Sequence, residues 1–233
     1  MKVVICAGPP TTGKTTVLKQ VVKRLIGLGL APAYLKIDVQ YAVEDEVFAK
    51  EFGIPAKKVY SGELCPDHCN VMVMRDAIEW AGSLNKNLLL VETAGLCLRC
   101  SPYIEGAFGI IVLEATSGMN LPRKIGPMLT LADLAVVTKI DLISQAEREV
   151  FRARIISAAQ NMPICETNAL YGIGIDAVVK RIIACSEISD SLVLRGNPPV
   201  GTCTVCVGKK EIGWQQHFGV VRPLENEIFY RGE

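Results

Sequence analysis

An excess of charge of either sign is missing from this sequence: 25 lysines and arginines stand against 24 aspartates and glutamates. No overall basic field exists to draw in nucleic acid or an anionic membrane, so partners must be recognised locally. No apolar run approaches the roughly 20 residues of a membrane span. The opening "MKVVICAG" has one charged side chain and a short apolar run that leads straight into a glycine loop, which reads as a buried strand and not as a signal peptide. Internal repeats and low-complexity segments are absent as well. These absences imply a soluble cytoplasmic protein. Histidine is scarce, with two in 233 residues, but cysteine is not, with nine. In a reducing compartment such an odd set reads as thiols or metal ligands before disulfides.

A half-apolar composition over this length supports one compact domain plus an extension. "KVVICA", a glycine-rich loop and "KTTVLKQVVKRLIGLGL" read as strand, loop and helix. "AYLKIDV" is a second strand, "EDEVFAKEFG" a short helix, "KKVYS" a brief extended piece, and "NVMVMRDAIEWAGSL" a helix with Met72, Met74 and Trp80 in or beside the core. The runs "NLLLVETA", "GIIVLEAT" and "LAVVTKIDL" resemble strands buried on both faces, and "MPICETNALYGIGIDAVVKRIIACS" is a last strand and helix. The expected fold is α/β, a P-loop NTPase with a mostly parallel sheet flanked by helices. Residues 1 to 186 would form that domain, and 187 to 233 a turn-rich, cysteine-containing appendage.

Gly8-Pro9-Pro10-Thr11-Thr12-Gly13-Lys14-Thr15 matches G-x-x-x-x-G-K-S/T between a strand and a helix, the context the motif requires. Gly8, Pro9, Thr11, Thr12, Gly13 and Thr16 would cradle phosphates. Lys14 would reach the β and γ oxygens, and the Thr15 hydroxyl would ligate Mg²⁺. Thr138-Lys139-Ile140-Asp141 has the form N/T-K-x-D at the end of an apolar strand. Asp141 can accept from guanine N1–H and N2–H₂, which adenine lacks, so GTP is favoured over ATP. Lys139 would pack over the base, and Asn168, Ala169 and Leu170 of "ETNAL" would wall the base pocket. Asp38 and Glu92 end strands near the loop, where carboxylates can hold Mg²⁺ or its waters and place the attacking water; Gly95 completes an E-x-x-G turn suited to sensing the γ-phosphate.

With "GPPTTGKTT", "KIDVQ", "GELC", "VETAG", "TKIDL" and "ETNALYGIG" in hand, the chain resembles the metallocentre-assembly GTPases over roughly residues 1 to 185. That family includes the nickel-incorporation proteins of hydrogenase and urease maturation and the cobalamin-synthesis W-type GTPases; the hydrogenase type is the closest likeness. The resemblance implies GTP-dependent dimerisation that builds or reshapes a metal site, with hydrolysis coupled to metal delivery to a client metalloenzyme or its assembly factors. The chain departs from it in three places. The usual Cys-His or Cys-Pro-His becomes Cys65-Pro66-Asp67-His68-Cys69; Cys97-x-x-Cys100 follows the Glu92 turn; and Cys203-x-x-Cys206 lies in the tail.

Paired thiolates can be aimed at one metal, and two such elements brought together make a four-sulfur site, within one chain or across a dimer axis. Cys65, Cys69, Cys97 and Cys100 suit zinc or an iron–sulfur cluster, and His68 makes nickel more credible. Cys203 and Cys206 are candidates for a second site; His217 could add a ligand there, but a lone histidine beside Phe218 reads first as a packed or surface residue. Cys6, Cys165 and Cys185 lie in apolar patterns and read as small core residues. Two competing readings are a nucleotide-coupled redox or metal sensor, and a small-molecule kinase that contains zinc.

Overall fold

Strand β1 (Lys2–Ala7) divides the core by its period of two: Val3, Ile5 and Ala7 face one buried cluster, Val4 and Cys6 the other. A strand apolar on both faces belongs at the centre of a covered parallel sheet. The computed structural model describes residues 1–39, 41–61, 66–95, 100–189, 192–197, 209–213 and 228–229. After β1 come α1 (Lys14–Gly27), β2 (Ala33–Asp38), α2 (Glu44–Phe52), β3 (Ala56–Tyr60), α3 (Pro66–Ser83), β4 (Leu88–Thr93) and β5 (Phe108–Glu114). The short helices α4 (Leu121–Lys124) and α5 (Pro127–Thr130) precede β6 (Leu134–Thr138), and a 3₁₀ turn over Ile140–Leu142 follows it. Then come α6 (Gln145–Ala158), β7 (Ile164–Glu166), α7 (Ile175–Ala184) and the two-residue β8 (Ile228–Phe229).

The strands lie in the order β7-β6-β5-β1-β4-β2-β3-β8, and every pairing is parallel. The P-loop fold expected from the sequence is therefore present. The chain reverses direction across the sheet at β1, so the crevice for a ligand opens at the carboxyl ends of β1, β4 and β5. Helix α1 lays Val17, Leu18, Val21, Val22 and Leu25 on one face, beside Ile175, Val178, Val179 and Ile182 of α7. Helices α3 and α6 cover the opposite face, α6 through Phe151 and Ile155. Tyr34 of β2 stacks on Phe48 of α2, with ring centroids 3.9 Å apart, which seats α2 over the first of these faces. Among the described residues, no helix is long and apolar enough to cross a membrane.

One boundary differs from expectation, and one helix, α6, was not expected. Helix α3 begins at Pro66, four residues before the apolar periodicity at Asn70 becomes readable. Proline in a first turn forfeits no intrahelical bond, so Pro66 to Cys69 are helical and not a turn. Helix α6 carries a capping box, in which the Ser144 hydroxyl accepts from the Glu147 N–H and the Glu147 side chain accepts from the Ser144 N–H. Its outer face is polar, so hydrophobic periodicity alone leaves it faint.

Residues 192–197 are fastened to the domain by main-chain bonds from Glu105 N–H to Val193 O (2.9 Å) and from Arg195 N–H to Tyr103 O (2.9 Å). The Arg195 guanidinium donates to Leu131 O at 2.7 Å and to the Asp133 carboxylate at 2.8 Å, and also to Ala107 O. Leu192, Leu194 and Ile212 complete the buried cluster there. Replacing Arg195 with alanine removes its bonds to two carbonyls and leaves the Asp133 carboxylate with the Gly109 N–H, and should lower unfolding stability by about 2 kcal/mol in urea denaturation; a loss below about 0.5 kcal/mol would show the segment to be loosely held.

Candidate functional site

Backbone geometry builds the phosphate loop. Gly8 (φ 148°) and Gly13 (φ 87°) adopt conformations that side chains resist, and a Cβ on Gly8 would stand 2.3 Å from Val112 O. Gly95 (φ 65°) is pressed against the same loop, where a Cβ would lie 2.0 Å from Gly8 O. The Glu92 turn and the phosphate loop are thus in direct contact. Within the loop, the Thr12 hydroxyl donates to Pro9 O at 2.9 Å, and the Lys14 ammonium donates to Gly8 O at 2.8 Å and Pro9 O at 3.0 Å. Burial lowers the Lys14 pKa below the ordinary lysine value, with the Glu92 charge opposing. A cavity of about 420 Å³ opens here, lined among others by Thr11, Gly13, Lys14, Thr15, Thr16 and Glu92.

Sheet register sets the acidic part of the site. Cys6 of β1 and Lys36 of β2 both pair with Glu92 of β4, so the three form one row across the sheet on one face. The Glu92 carboxylate is 1 % exposed and accepts from the Thr15 hydroxyl (2.7 Å), the Tyr34 hydroxyl (2.8 Å) and the Lys36 ammonium (2.7 Å). Lys36 also stands 3.4 Å from Asp38 and 3.4 Å from Glu44. Burial works against its charge, but Glu92, Glu44 and Asp38 together raise its pKa above the ordinary lysine value. Beside Glu92, Cys6 is pushed well above a normal thiol by burial and by that carboxylate, and is an inert core residue. An Mg²⁺ ion fits this donor set: Thr15 already directs its proton to Glu92, leaving an oxygen lone pair, and Asp38 faces the same cavity. Tyr34, Lys36 and Glu44 were not singled out in the sequence. The signal for Lys36 is a lysine in the apolar strand "AYLKID", on the same face as Asp38.

The candidate base-recognition segment, Thr138 to Asp141, is tied to the P-loop. The Thr138 hydroxyl donates to Thr12 O at 2.7 Å, with Leu113 O at 3.3 Å. A threonine hydroxyl thus joins the end of β6 to the P-loop. Lys139 (φ 57°) is left-handed and its ammonium is paired with Glu114, while Asp141 is exposed in the 3₁₀ turn. The Thr167 hydroxyl donates to Val137 O at 3.1 Å, and Asn168 and Ile173 exchange main-chain bonds, closing the loop that carries Asn168 and Ala169, both buried, and Leu170, 76 % exposed.

Of the cysteine candidates, Cys65, Cys97, Cys203 and Cys206 lie outside the described residues, as does His217. His68 and Cys69 are buried in the first turn of α3; Cys100 is half-buried. Of the expected core thiols, Cys6 and Cys165 are buried and Cys185 is half-buried. Among the described residues, no three His, Cys, Asp or Glu side chains are grouped to hold a metal ion. Beside His68, Asp67 is 3 % exposed, and among the described residues neither carboxylate oxygen has a hydrogen-bond partner. Burial raises its pKa to about 7.

The match to the CobW/HypB/UreG nucleotide-binding domain covers residues 2–166. The chain belongs to that family. An uncharacterized protein of Methanocaldococcus jannaschii is 44 % identical over the whole of both chains. A urease accessory protein UreG of Trichodesmium erythraeum is 30 % identical over 76 % of this chain and 88 % of its own. In fold, the crystal structure of HypB from Helicobacter pylori in complex with nickel superposes with a TM-score of 0.62 at 19 % identity, over 78 % of this chain and 86 % of that one.

Asp67 supplies a test of the α3 entrance. The folded protein holds a proton on Asp67 that the unfolded chain releases above the ordinary value of 3.8, so stability falls as pH rises from about 4 to about 7 and stays lowered above that. In metal-free protein, Asp67→Asn should remove this fall and gain about 3 kcal/mol at pH 8 relative to pH 4 in chemical denaturation; parallel curves for the two proteins would refute it.

Proposed function

We propose that this protein binds and hydrolyses GTP and couples that cycle to handling a thiolate-bound metal or cluster during maturation of a metalloenzyme, in the cytoplasm. The observation that carries the reading is the convergence of three elements at one end of the sheet: the P-loop, the Glu92–Gly95 turn pressed on it, and the Thr138–Asp141 strand end bonded to Thr12. Only the last of these reads the base. Membership in a family whose members include a urease accessory protein and a HypB solved with nickel supports the metal half.

In this mechanism Lys14 leaves the Gly8 and Pro9 carbonyls for the phosphates, and the main-chain N–H groups of the loop cradle them with the start of α1. Thr15 and Asp38 would hold Mg²⁺, Thr15 through its hydroxyl oxygen while the hydroxyl proton remains directed to Glu92. Mg²⁺ supplies neutralisation of the charge on the β and γ oxygens. The attacking water bonds to the γ phosphorus as the bond to the β–γ bridging oxygen breaks, giving GDP and phosphate. Lys139 gives up Glu114 to cover the base, and Asp141 accepts from guanine.

The cargo, zinc, nickel or an iron–sulfur cluster, would be held by Cys65, His68, Cys69, Cys97 and Cys100, with Cys203 and Cys206 as a second site. Asp67, between these residues, is buried with neither oxygen hydrogen-bonded among the described residues, and burial favours its neutral, protonated form. Nucleotide-dependent homodimerisation would bring the thiol pairs together, with residues 187–233 serving as an appendage to the 1–186 GTPase unit.

Asp141→Asn replaces an acceptor of guanine N–H groups with a group that donates, and should weaken GTP binding roughly 100-fold while creating binding of xanthosine triphosphate. Unchanged GTP affinity would remove Asp141 from base recognition. Cys65→Ala with Cys97→Ala should lower the transition-metal content of anaerobically purified protein; unaltered metal content would refute the thiolate assignment.

A further inference from the structure

Lys36 is a buried cation that the phosphate-binding motif does not call for. Its ammonium lines the same cavity as Lys14, Thr15, Asp38 and Glu92, with its side chain 5 % exposed. It contacts the Glu92 oxygen that also accepts from Thr15, and it lies 3.4 Å from both Asp38 and Glu44. Its place is fixed by register, because Lys36 and Glu92 are direct neighbours on β2 and β4. Such an ammonium stands where positive charge is needed twice, by the carboxylates before nucleotide arrives and by the phosphates afterwards.

We propose that Lys36 is a resident cation of the nucleotide site, one that stands in for Mg²⁺ on Glu92 and Asp38, helps metal-free nucleotide to bind, and must be displaced from those carboxylates when Mg²⁺ enters. The inference rests on the GTP-binding reading above. Three physical points carry it. An ammonium and Mg²⁺ cannot share the Glu92 and Asp38 oxygens without mutual repulsion, so each weakens the other there. Lys36 and Glu92 are both buried, so repulsion between charges at the Glu92 oxygens is poorly screened by solvent. Among the described residues Lys36 lines the cavity together with Lys14, and so can supply charge to a polyphosphate that lacks its metal. Lys36 is then a positioning residue: it sets how strongly metal and nucleotide depend on each other.

The test is the ratio of GTP affinity in Mg²⁺ to GTP affinity in EDTA, read by equilibrium binding of a fluorescent GTP analogue with no turnover involved. For the wild type, removal of Mg²⁺ should weaken binding by no more than about tenfold. For Lys36→Gln the ratio should rise at least about tenfold over the wild type, because metal-free binding loses its cation while Mg²⁺ loses its competitor; Lys36→Arg, which keeps the charge, should stay within about twofold of the wild type. General damage to the fold would lower both affinities and leave the ratio unmoved. A ratio in Lys36→Gln equal to or below that of the wild type overturns the proposal. So does a wild type that loses more than about a hundredfold in EDTA, a result that needs no variant to fold. A wild type that binds no guanine nucleotide in either buffer would instead sink the GTP-binding reading itself.

Discussion

One buried carboxylate organises this molecule. Glu92, at the end of β4, accepts from a hydroxyl on the phosphate loop helix, a hydroxyl on β2 and an ammonium on β2. An ionised carboxylate at this depth survives only with its lone pairs occupied and its charge compensated. Satisfying it binds α1, β2 and β4 to each other at the mouth of the cavity. Three residues after Glu92, the chain presses Gly95 onto Gly8. A change in the charge of the cavity is therefore felt by the loop, the β2 end and the turn after β4 together.

The segments that leave this centre carry the remaining chemistry. From β2 the chain runs through Asp38 to α2, whose Glu44 reaches back to Lys36. From β3 it runs toward α3, whose first turn buries Asp67, His68 and Cys69. After Gly95 it runs toward Cys100. The same strand ends that would sense phosphate therefore lead into the soft-ligand residues. In the proposed cycle, this covalent continuity is what passes a nucleotide change to the metal site.

Much of this was legible in the sequence, for identifiable reasons. Buried parallel strands such as "KVVICA" and "LLLVET" are continuous apolar runs, and the phosphate motif has a required strand–loop–helix setting. Lys139 and Asp141 stand out in the sequence as charged residues directly after an apolar strand, and the structure places them at the end of β6. The helical start of α3 was not, because Pro66-Asp67-His68 breaks the apolar rhythm and reads as a turn. Lys36 was passed over because one charged residue in a strand carries no period of its own; only the register that places it beside Glu92 gives it meaning. Likewise Thr138 reads as a weaker substitute for asparagine until its hydroxyl is seen bonded to Thr12 O.

The central claim is that nucleotide state and metal binding are coupled in one chain. The most direct measurement is the affinity of anaerobically prepared protein for nickel, zinc and ferrous iron, each titrated with a non-hydrolysable GTP analogue and Mg²⁺ and again with GDP. The account predicts that at least one of these metals binds through thiolates and that its affinity differs by about tenfold or more between the two nucleotide states. Equal affinities in both states, or no thiolate-bound metal in either, would contradict it.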